Sequence, residues 1–309
     1  MKFAIGLDVG GTKILAVALD ETGRVQVSHR TETPARAGAA AVLESLQRAA
    51  EAVIGELPPL GQAGLQGVGV SAAGQIDVAR GVVAYASPNI EGWTGTPVAD
   101  VLRERLGLPI VVENDANAAA FGEWACGAAQ GVASVVMVTI GTGVGGGVIL
   151  DGRVWRGGRW RGGELGHMVV QARGWPCNCG QTGCLEVYAS GTAIARLARE
   201  ARAGWEGAAP AVFQAASDGD PVMQGLLEDS ARYLAQGLVS VSSLLDPDLF
   251  ILGGGVAAQP TYLPLVQRAL ERADVSGQRG FEVDRVRLAS LGEMAGAIGA
   301  AQLALRGHP

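Results

Sequence analysis

Two kinds of hydrophobic pattern run along the chain. The opening is a set of short apolar runs broken by turn residues: Phe3–Val9, the turn Gly10-Gly11, Lys13–Leu19, the turn Asp20–Gly23, then Arg24–Arg30. Such spacing predicts a meander of three short strands. The same succession returns later as Ser134–Ile140, the turn Gly141–Gly143, Val144–Leu150 and the tight hairpin signal Asp151-Gly152 before Arg153–Trp155. Gly10 and Gly141 hold matching places, 131 positions apart. A repeat of this length predicts two domains on one plan, each offering a glycine turn to a shared cleft.

Helical periodicity fills the intervals. Ala40–Glu56 and Val98–Leu106 read as helices, Gly67–Ser71 as a short buried strand, and Pro109–Val112 as a strand that runs into Glu113-Asn114-Asp115 before an Ala-rich helix over 116–129. Further on, Ser190–Ala203 and Pro221–Leu245 are helical, Leu249–Leu252 is a strand that meets the turn Gly253–Gly255, and Gly296–Leu305 is a final Ala/Leu helix. Strands alternating with helices imply an α/β fold. The expected division is a smaller α/β domain over 1–118, completed by the C-terminal helix 296–309, and a larger one over 119–295.

Composition narrows the possible roles. With 309 residues, 48% of them hydrophobic, the chain has material for two cores. A formal charge of −6 with no local Lys/Arg cluster offers nothing to a phosphate backbone, so nucleic acid is not an expected partner. The apolar run after Lys2 meets Asp8 almost at once, too early for a secretory signal, and a cytoplasmic location is expected. The uncharged stretch 132–150 contains five glycines between Val/Ile-rich flanks. It reads as two buried strands around a turn, and no membrane contact is expected.

Of four cysteines, Cys177, Cys179 and Cys184 lie too close together for a disulfide framework, and Cys126 reads as a small buried helix residue. With His167 the three supply one imidazole and three thiolates, a closed tetrahedral shell of the structural zinc type. Gly174, Pro176, Gly180 and Gly183 give that loop the turns a metal knuckle needs. Three glycine turns follow apolar strands, at Asp8-Val9-Gly10-Gly11-Thr12-Lys13, Gly141-Thr142-Gly143 and Gly253-Gly254-Gly255. Glycine lets backbone N–H groups approach phosphate oxygens, Thr12 and Thr142 add donors, and Asp8 is placed to reach Mg²⁺ through water. Each turn alone is more often a plain tight turn; three together point to nucleotide phosphates. Asp115 sits at a strand-to-helix junction with Asn114 and Asn117 beside it, either a helix cap or part of a polar site.

Taken together these residues resemble the ROK family of sugar kinases and related repressors. The matching parts are DVGGTK at 8–13, PNIEGW at 88–93, ENDANAAAFGE at 113–123, TIGTGVGGG at 139–147, ELGHMVV at 164–170, CNCGQTGCLE at 177–186 and ILGGG at 251–255. The resemblance implies the actin-like ATPase (ribonuclease H-like) fold, with two similar α/β domains and a cleft between them. It implies that Asn114, Asp115, Glu164, His167 and Glu186 hold sugar hydroxyls, with Gly74 and Asn89 on the other wall. It also implies that the turns at 10–13 and 141–143 hold ATP phosphates and that 253–255 lies near the adenosine. Ala73-Gly74 stands where members often carry Pro-Gly, a change that frees the backbone before Gly74.

The implied activity is transfer of the γ-phosphoryl of MgATP to the 6-hydroxyl of a hexose, with Asp115 as catalytic base. Glucose is expected ahead of N-acetylmannosamine, N-acetylglucosamine and fructose, on the likeness of PNIEGW to family glucokinases. A sugar sensor without chemistry would be expected to lose Asp115, and an actin-like filament protein to lack the cysteine knuckle. The first phosphate turn begins at Asp8, so the DNA-binding domain of the family's repressors is not expected. Family members are commonly dimers or tetramers, and a homo-oligomer is expected here.

Overall fold

The computed structural model describes residues 1–273 and 283–307. Residues 274–282, within the expected domain 119–295, and 308–309, the end of the expected helix 296–309, lie outside the described residues. In chain order the first elements are β1 (Phe3–Val9), β2 (Lys13–Asp20), β3 (Val25–Glu32), α1 (Ala39–Glu56), α2 (Pro59–Ala63), β4 (Leu65–Ala72), β5 (Gln75–Asp77), β6 (Val82–Tyr85), α3 (Val98–Leu106), β7 (Ile110–Asn114) and α4 (Asp115–Cys126). They are followed by β8 (Val135–Ile140), β9 (Val144–Leu150), β10 (Arg153–Val154), α5 (Glu186–Ala189), α6 (Gly191–Ala201), α7 (Ala209–Ser217), α8 (Pro221–Leu245), β11 (Leu249–Gly253), α9 (Gly254–Ala257), α10 (Tyr262–Ala273), β12 (Val286–Leu288) and α11 (Ala295–Arg306).

These elements form two compact units. One comprises Met1–Gly131, Gly147–Gly162 and the chain from Ser290 onward; the other comprises Val132–Gly146 and Gly163–Ala289. Residue 118, the boundary expected from sequence, lies inside α4. Gly122 of α4 and Gly299 of α11 bring those two helices into backbone contact, since a Cβ on either would strike the other helix's main chain. The chain therefore leaves this unit after α4, not within it.

In the first unit the strand order is β3-β2-β1-β4-β7. The β1–β2 and β2–β3 pairs are antiparallel; β1–β4 and β4–β7 are parallel. One face packs Ile5, Leu7 and Val70 against Leu46 and Val53 of α1 and Leu102 of α3. On the other face Val17 and Leu19 meet Ala297 and Ile298 of α11. Cover on both faces explains why β2 reads as a continuous apolar run instead of an alternating one.

The second sheet has the order β10-β9-β8-β11-β12, the first order repeated strand for strand. Here β11 runs parallel to both β8 and β12. The glycine turns match as well: Gly10 N–H donates to the Lys13 carbonyl at 3.0 Å, and Gly141 N–H to the Gly143 carbonyl at 2.9 Å. The duplication read from sequence is thus a duplication of topology. The stretch 132–150 forms β8 and β9, and no helix among the described residues is long and apolar enough to cross a membrane.

The helix expected over 116–129 ends at Cys126. Glu123 turns its carboxylate back to accept from Ala128 N–H at 2.8 Å, which draws the chain out of the helical path after Gly127. The hairpin of β5 and β6, helix α7 and strand β12 were not foreseen; each is short or has an Ala-rich sequence without clear periodicity.

Candidate functional site

The first unit gathers its polar residues at the carboxyl ends of its parallel strands, where open α/β sheets bind ligands. Strand register aligns Asp8 with Ser71 and Ser71 with Glu113, and in the next row Val9 with Ala72 and Ala72 with Asn114. Ser71 Oγ donates to Asp8 Oδ1 at 2.5 Å. Burial pushes the Asp8 carboxyl above its usual range, against the lowering effects of that hydrogen bond and of the Lys13 charge. Lys13 donates to Glu293 at 2.5 Å, so the last residue of the first glycine turn is tied to the loop before α11. Asn89 lies beside that turn, 3.8 Å from where a Cβ on Gly11 would stand.

Asp115 is the first residue of α4, and the cap is Asn114, whose Oδ1 accepts from Asn117 N–H at 3.1 Å. Capping is thus assigned to a neighbour. Asp115 Oδ1 accepts from Asn114 Nδ2 and from Ala116 N–H, both at 2.9 Å. Both donors reach the same oxygen, which restricts rotation of the carboxylate. Asn114 Nδ2 also donates to the Gly74 carbonyl at 2.9 Å, so Gly74, Asn114 and Asp115 are joined directly. Gly74 has φ of +111°, a conformation that glycine alone adopts readily, and a Cβ there would lie 2.5 Å from the Tyr85 carbonyl oxygen.

The second unit carries the remaining predicted residues. Glu164, Leu165, Gly166 and His167 form a tight turn, with His167 N–H donating to the Glu164 carbonyl at 3.1 Å. Glu186, first residue of α5, accepts from Val144 N–H through Oε2 at 2.9 Å. That approach depends on Gly143, since a Cβ there would collide with the same Oε2. His167 and the three cysteines place one ligand atom each within 4.8 Å of one another. His167 Nδ1 lies 3.7 Å from Cys177 Sγ, and Cys179 Sγ lies 3.7 Å from Cys184 Sγ. A tetrahedral ion with metal–sulfur bonds of about 2.3 Å separates its ligands by about 3.8 Å, so the donor set fits a metal in spacing as well as chemistry. Burial, then the neighbouring Cys179 and Cys177 sulfurs, push the Cys184 thiol up to about 12. Coordination to a cation offsets that cost by deprotonating the thiol.

Two of the three glycine turns meet in one cavity of about 520 Å³ within the second unit. Gly141 and Thr142 line it together with Gly191, Phe213, Gly255 and Val256. Gly191 N–H donates to the Gly141 carbonyl at 2.8 Å, which joins the turn to the start of α6, capped by Ser190. The size suits a small-molecule ligand.

Sequence reasoning missed the support beneath these residues. Arg156 Nε donates to Glu113 Oε2 at 2.7 Å across 43 positions of sequence, and Ser71 and Glu293 likewise hold predicted residues from afar. A Ser in an apolar strand, or an Arg between Trp155 and Gly157, has no periodic signature of such a role. The cavity's Phe213 was also missed, because α7 was.

A family profile described as ROK family matches residues 4–307. The chain is 37% identical to a glucokinase of Streptomyces coelicolor, over 100% of this chain and 99% of that protein. It is 33% identical to an N-acetylmannosamine kinase of Escherichia fergusonii, with 97% of each chain covered. Among solved structures, a ROK family glucokinase from Streptomyces griseus in complex with glucose and AMPPNP superposes with a TM-score of 0.83 at 36% identity, covering 99% of this chain and 100% of that one. A match of this extent, to the family profile and to full-length relatives alike, establishes that the chain belongs to the ROK family.

Proposed function

We propose that the chain is an ATP-dependent hexose kinase that converts glucose to glucose 6-phosphate. One observation carries the reading: the Streptomyces griseus glucokinase, whose structure holds glucose and the ATP analogue AMPPNP, is matched by this chain from end to end. Asn114, Asp115, Glu164, His167 and Glu186 hold the sugar hydroxyls, with Gly74 and Asn89 completing the sugar contacts. The turns at Gly10–Lys13 and Gly141–Gly143 receive the phosphates through backbone N–H groups. The cavity bounded by Phe213 and Gly255 takes the adenosine, which Gly253–Gly255 help to position.

Asp115 accepts the proton of the 6-hydroxyl as that oxygen bonds to the γ-phosphorus. The bond from this phosphorus to the β–γ bridging oxygen breaks, and ADP leaves. A general base contributes roughly 10²–10⁴-fold, while positioning and charge stabilisation supply most of the remainder. Asp8 would hold, through water, the Mg²⁺ that accompanies ATP, which would supply countercharge to the phosphates. His167, Cys177, Cys179 and Cys184 would hold a zinc ion, whose ligation by four protein groups would brace the loop that carries Glu164 and Glu186.

The N-acetylmannosamine kinase relative makes that amino sugar the second reading. A coupled assay for ADP with a panel of hexoses separates the two: kcat/KM is highest for glucose, and a higher value for N-acetylmannosamine or N-acetylglucosamine overturns the acceptor assignment. In the same assay Asp115→Asn loses at least about 10²-fold in kcat while still binding glucose. Near-normal turnover in that variant demotes Asp115 to a positioning role.

A further inference from the structure

Glu113 is 1% exposed, yet it is a carboxylate near the end of the parallel edge strand β7, one residue from the cap of α4 and two from Asp115. A buried carboxylate needs both a countercharge and hydrogen bonds to its remaining lone pairs. Arg156 provides the first, with Nε 2.7 Å from Oε2 and only 16% of its own side chain exposed. The junction that carries Asp115 provides the second: Glu113 Oε1 accepts from Asn114 N–H at 2.9 Å and from Asn117 Nδ2 at 3.1 Å.

From there the chain of contacts reaches the base without a gap. Asn117 N–H donates to Asn114 Oδ1, which orients the Asn114 amide so that its Nδ2 bridges the Gly74 carbonyl and Asp115 Oδ1. The amide orientation of Asn117 is imposed by Glu113, because the reverse would set oxygen against carboxylate. Its own Oδ1 is consequently buried with no protein partner among the described residues. An acceptor left in that state is costly and persists where the surrounding network requires it. Arg156 is itself held in place. It follows the β9–β10 hairpin, Trp155 N–H donates to the Val148 carbonyl, and Gly162 N–H returns to the Arg156 carbonyl at 2.8 Å.

We propose that Arg156 is a positioning residue for Asp115, acting through Glu113 and the Asn114/Asn117 pair to fix the carboxylate where it takes the sugar proton. The proposal rests on the reading of Asp115 as base. Arg156 is assigned no contact with sugar or nucleotide, so its loss acts on kcat and leaves KM for ATP unchanged. A misplacement of about 1 Å in a reacting group costs on the order of 10²-fold. Folded Arg156→Met should therefore lose about 10–100-fold in kcat.

The test compares four variants at a temperature where each is shown folded by circular dichroism. Glu113→Gln/Arg156→Met removes both charges while the substituted amide still offers an oxygen to Asn114 and Asn117, and should recover most of the lost kcat. In an Asp115→Asn background, Arg156→Met should produce no further loss, since the group it positions is gone. Where Arg156→Met does not fold, Arg156→Lys keeps the charge without the planar Nε contact, and should lose about 3–10-fold in kcat at unchanged KM for ATP. Wild-type kcat in the folded Arg156 variant, or an equal loss in the Asp115→Asn background, overturns the proposal and leaves the base intact. Near-normal activity of Asp115→Asn alone overturns the base, and the positioning role falls with it.

Discussion

Glu123 is the position where substitution should reach the whole first unit. Its residue is fully buried, and its carboxylate accepts from Ala128 N–H at 2.8 Å, Ser290 N–H at 2.9 Å, Ser290 Oγ at 3.1 Å and Leu291 N–H at 2.8 Å. Those donors lie beside two places where the chain passes between the units, after Gly131 and before Ser290. Glu123→Ala leaves three backbone donors without their acceptor, at about 1–3 kcal/mol each, or about 3–9 kcal/mol together. Water entering the vacated space recovers part of this, which brings the expected loss to about 3–5 kcal/mol. Ser290→Ala removes only the hydroxyl and should cost about 1–1.5 kcal/mol. Calorimetric unfolding measures both. At about 2–4 °C per kcal/mol for a mid-sized domain, Glu123→Ala should lower Tm by roughly 6–20 °C, several times the effect of Ser290→Ala. Equal effects of the two, or a loss below about 1 kcal/mol for Glu123→Ala, would refute the view that this carboxylate organises the two passages.

Further outcomes follow from other parts of the molecule. Purified protein should contain one zinc per chain by metal analysis, and Cys179→Ser should lose it together with thermal stability and glucose affinity, because ligation free energy is folding free energy; active protein free of zinc would end that assignment. Gly143→Ala sets a Cβ against Glu186 Oε2. It should break an interaction worth about 1.5–3 kcal/mol and lower kcat/KM for glucose by about 10–100-fold, whereas an unchanged value would remove Glu186 from the sugar contacts. Burial of Asp20 raises its carboxyl, but hydrogen bonds from Thr22, Arg24 and Gln26 outweigh it and hold the group below the usual carboxylate range. A folded value below the unfolded one gives stability that is present above about pH 3.9 and lost as pH falls through the folded value. Asp20→Asn should therefore cost about 1–3 kcal/mol at pH 7, with the gap to wild type narrowing below pH 4 in acid titrations of unfolding; a gap independent of pH would contradict this.

The parts legible in sequence are those with local causes. Phe3–Val9 and Val98–Leu106 were bounded to the residue, because Gly10 closes the first and Pro97 and Gly107 flank the second. The duplicated plan was visible because a strand–glycine–strand unit carries its own signature. The Cys/His cluster was visible because His167, Cys177, Cys179 and Cys184 fall in one short segment, and the structure brings one ligand atom of each within 4.8 Å of the others. Where causes are distant, the reading failed. Helix α4 stops early through a carboxylate that also binds Ser290, 167 positions away. Likewise, the role of Asp115 as a cap could not be separated from a role in a site until Asn114 was seen to do the capping.

That last exchange explains why the motif is built as Glu-Asn-Asp. A helix that starts at the end of a parallel strand needs its first N–H groups satisfied, and the residue at the cap is bound to that task. Were Asp115 the cap, its carboxylate would be committed to a backbone donor one turn into α4 and turned away from the strand ends. With Asn114 as cap, one amide does three things: its oxygen closes the helix, and its nitrogen holds both the Gly74 carbonyl and the Asp115 carboxylate. Aspartate at the cap could not replace it, since an ionised carboxylate has no donor to offer the next residue. Glu113 then satisfies the backbone N–H of Asn114 from below, and needs Arg156 because it does so in the core. Each of the three side chains is chosen by what its neighbour cannot do. Asp115, the exposed position at the head of the helix, is thereby relieved of the capping task.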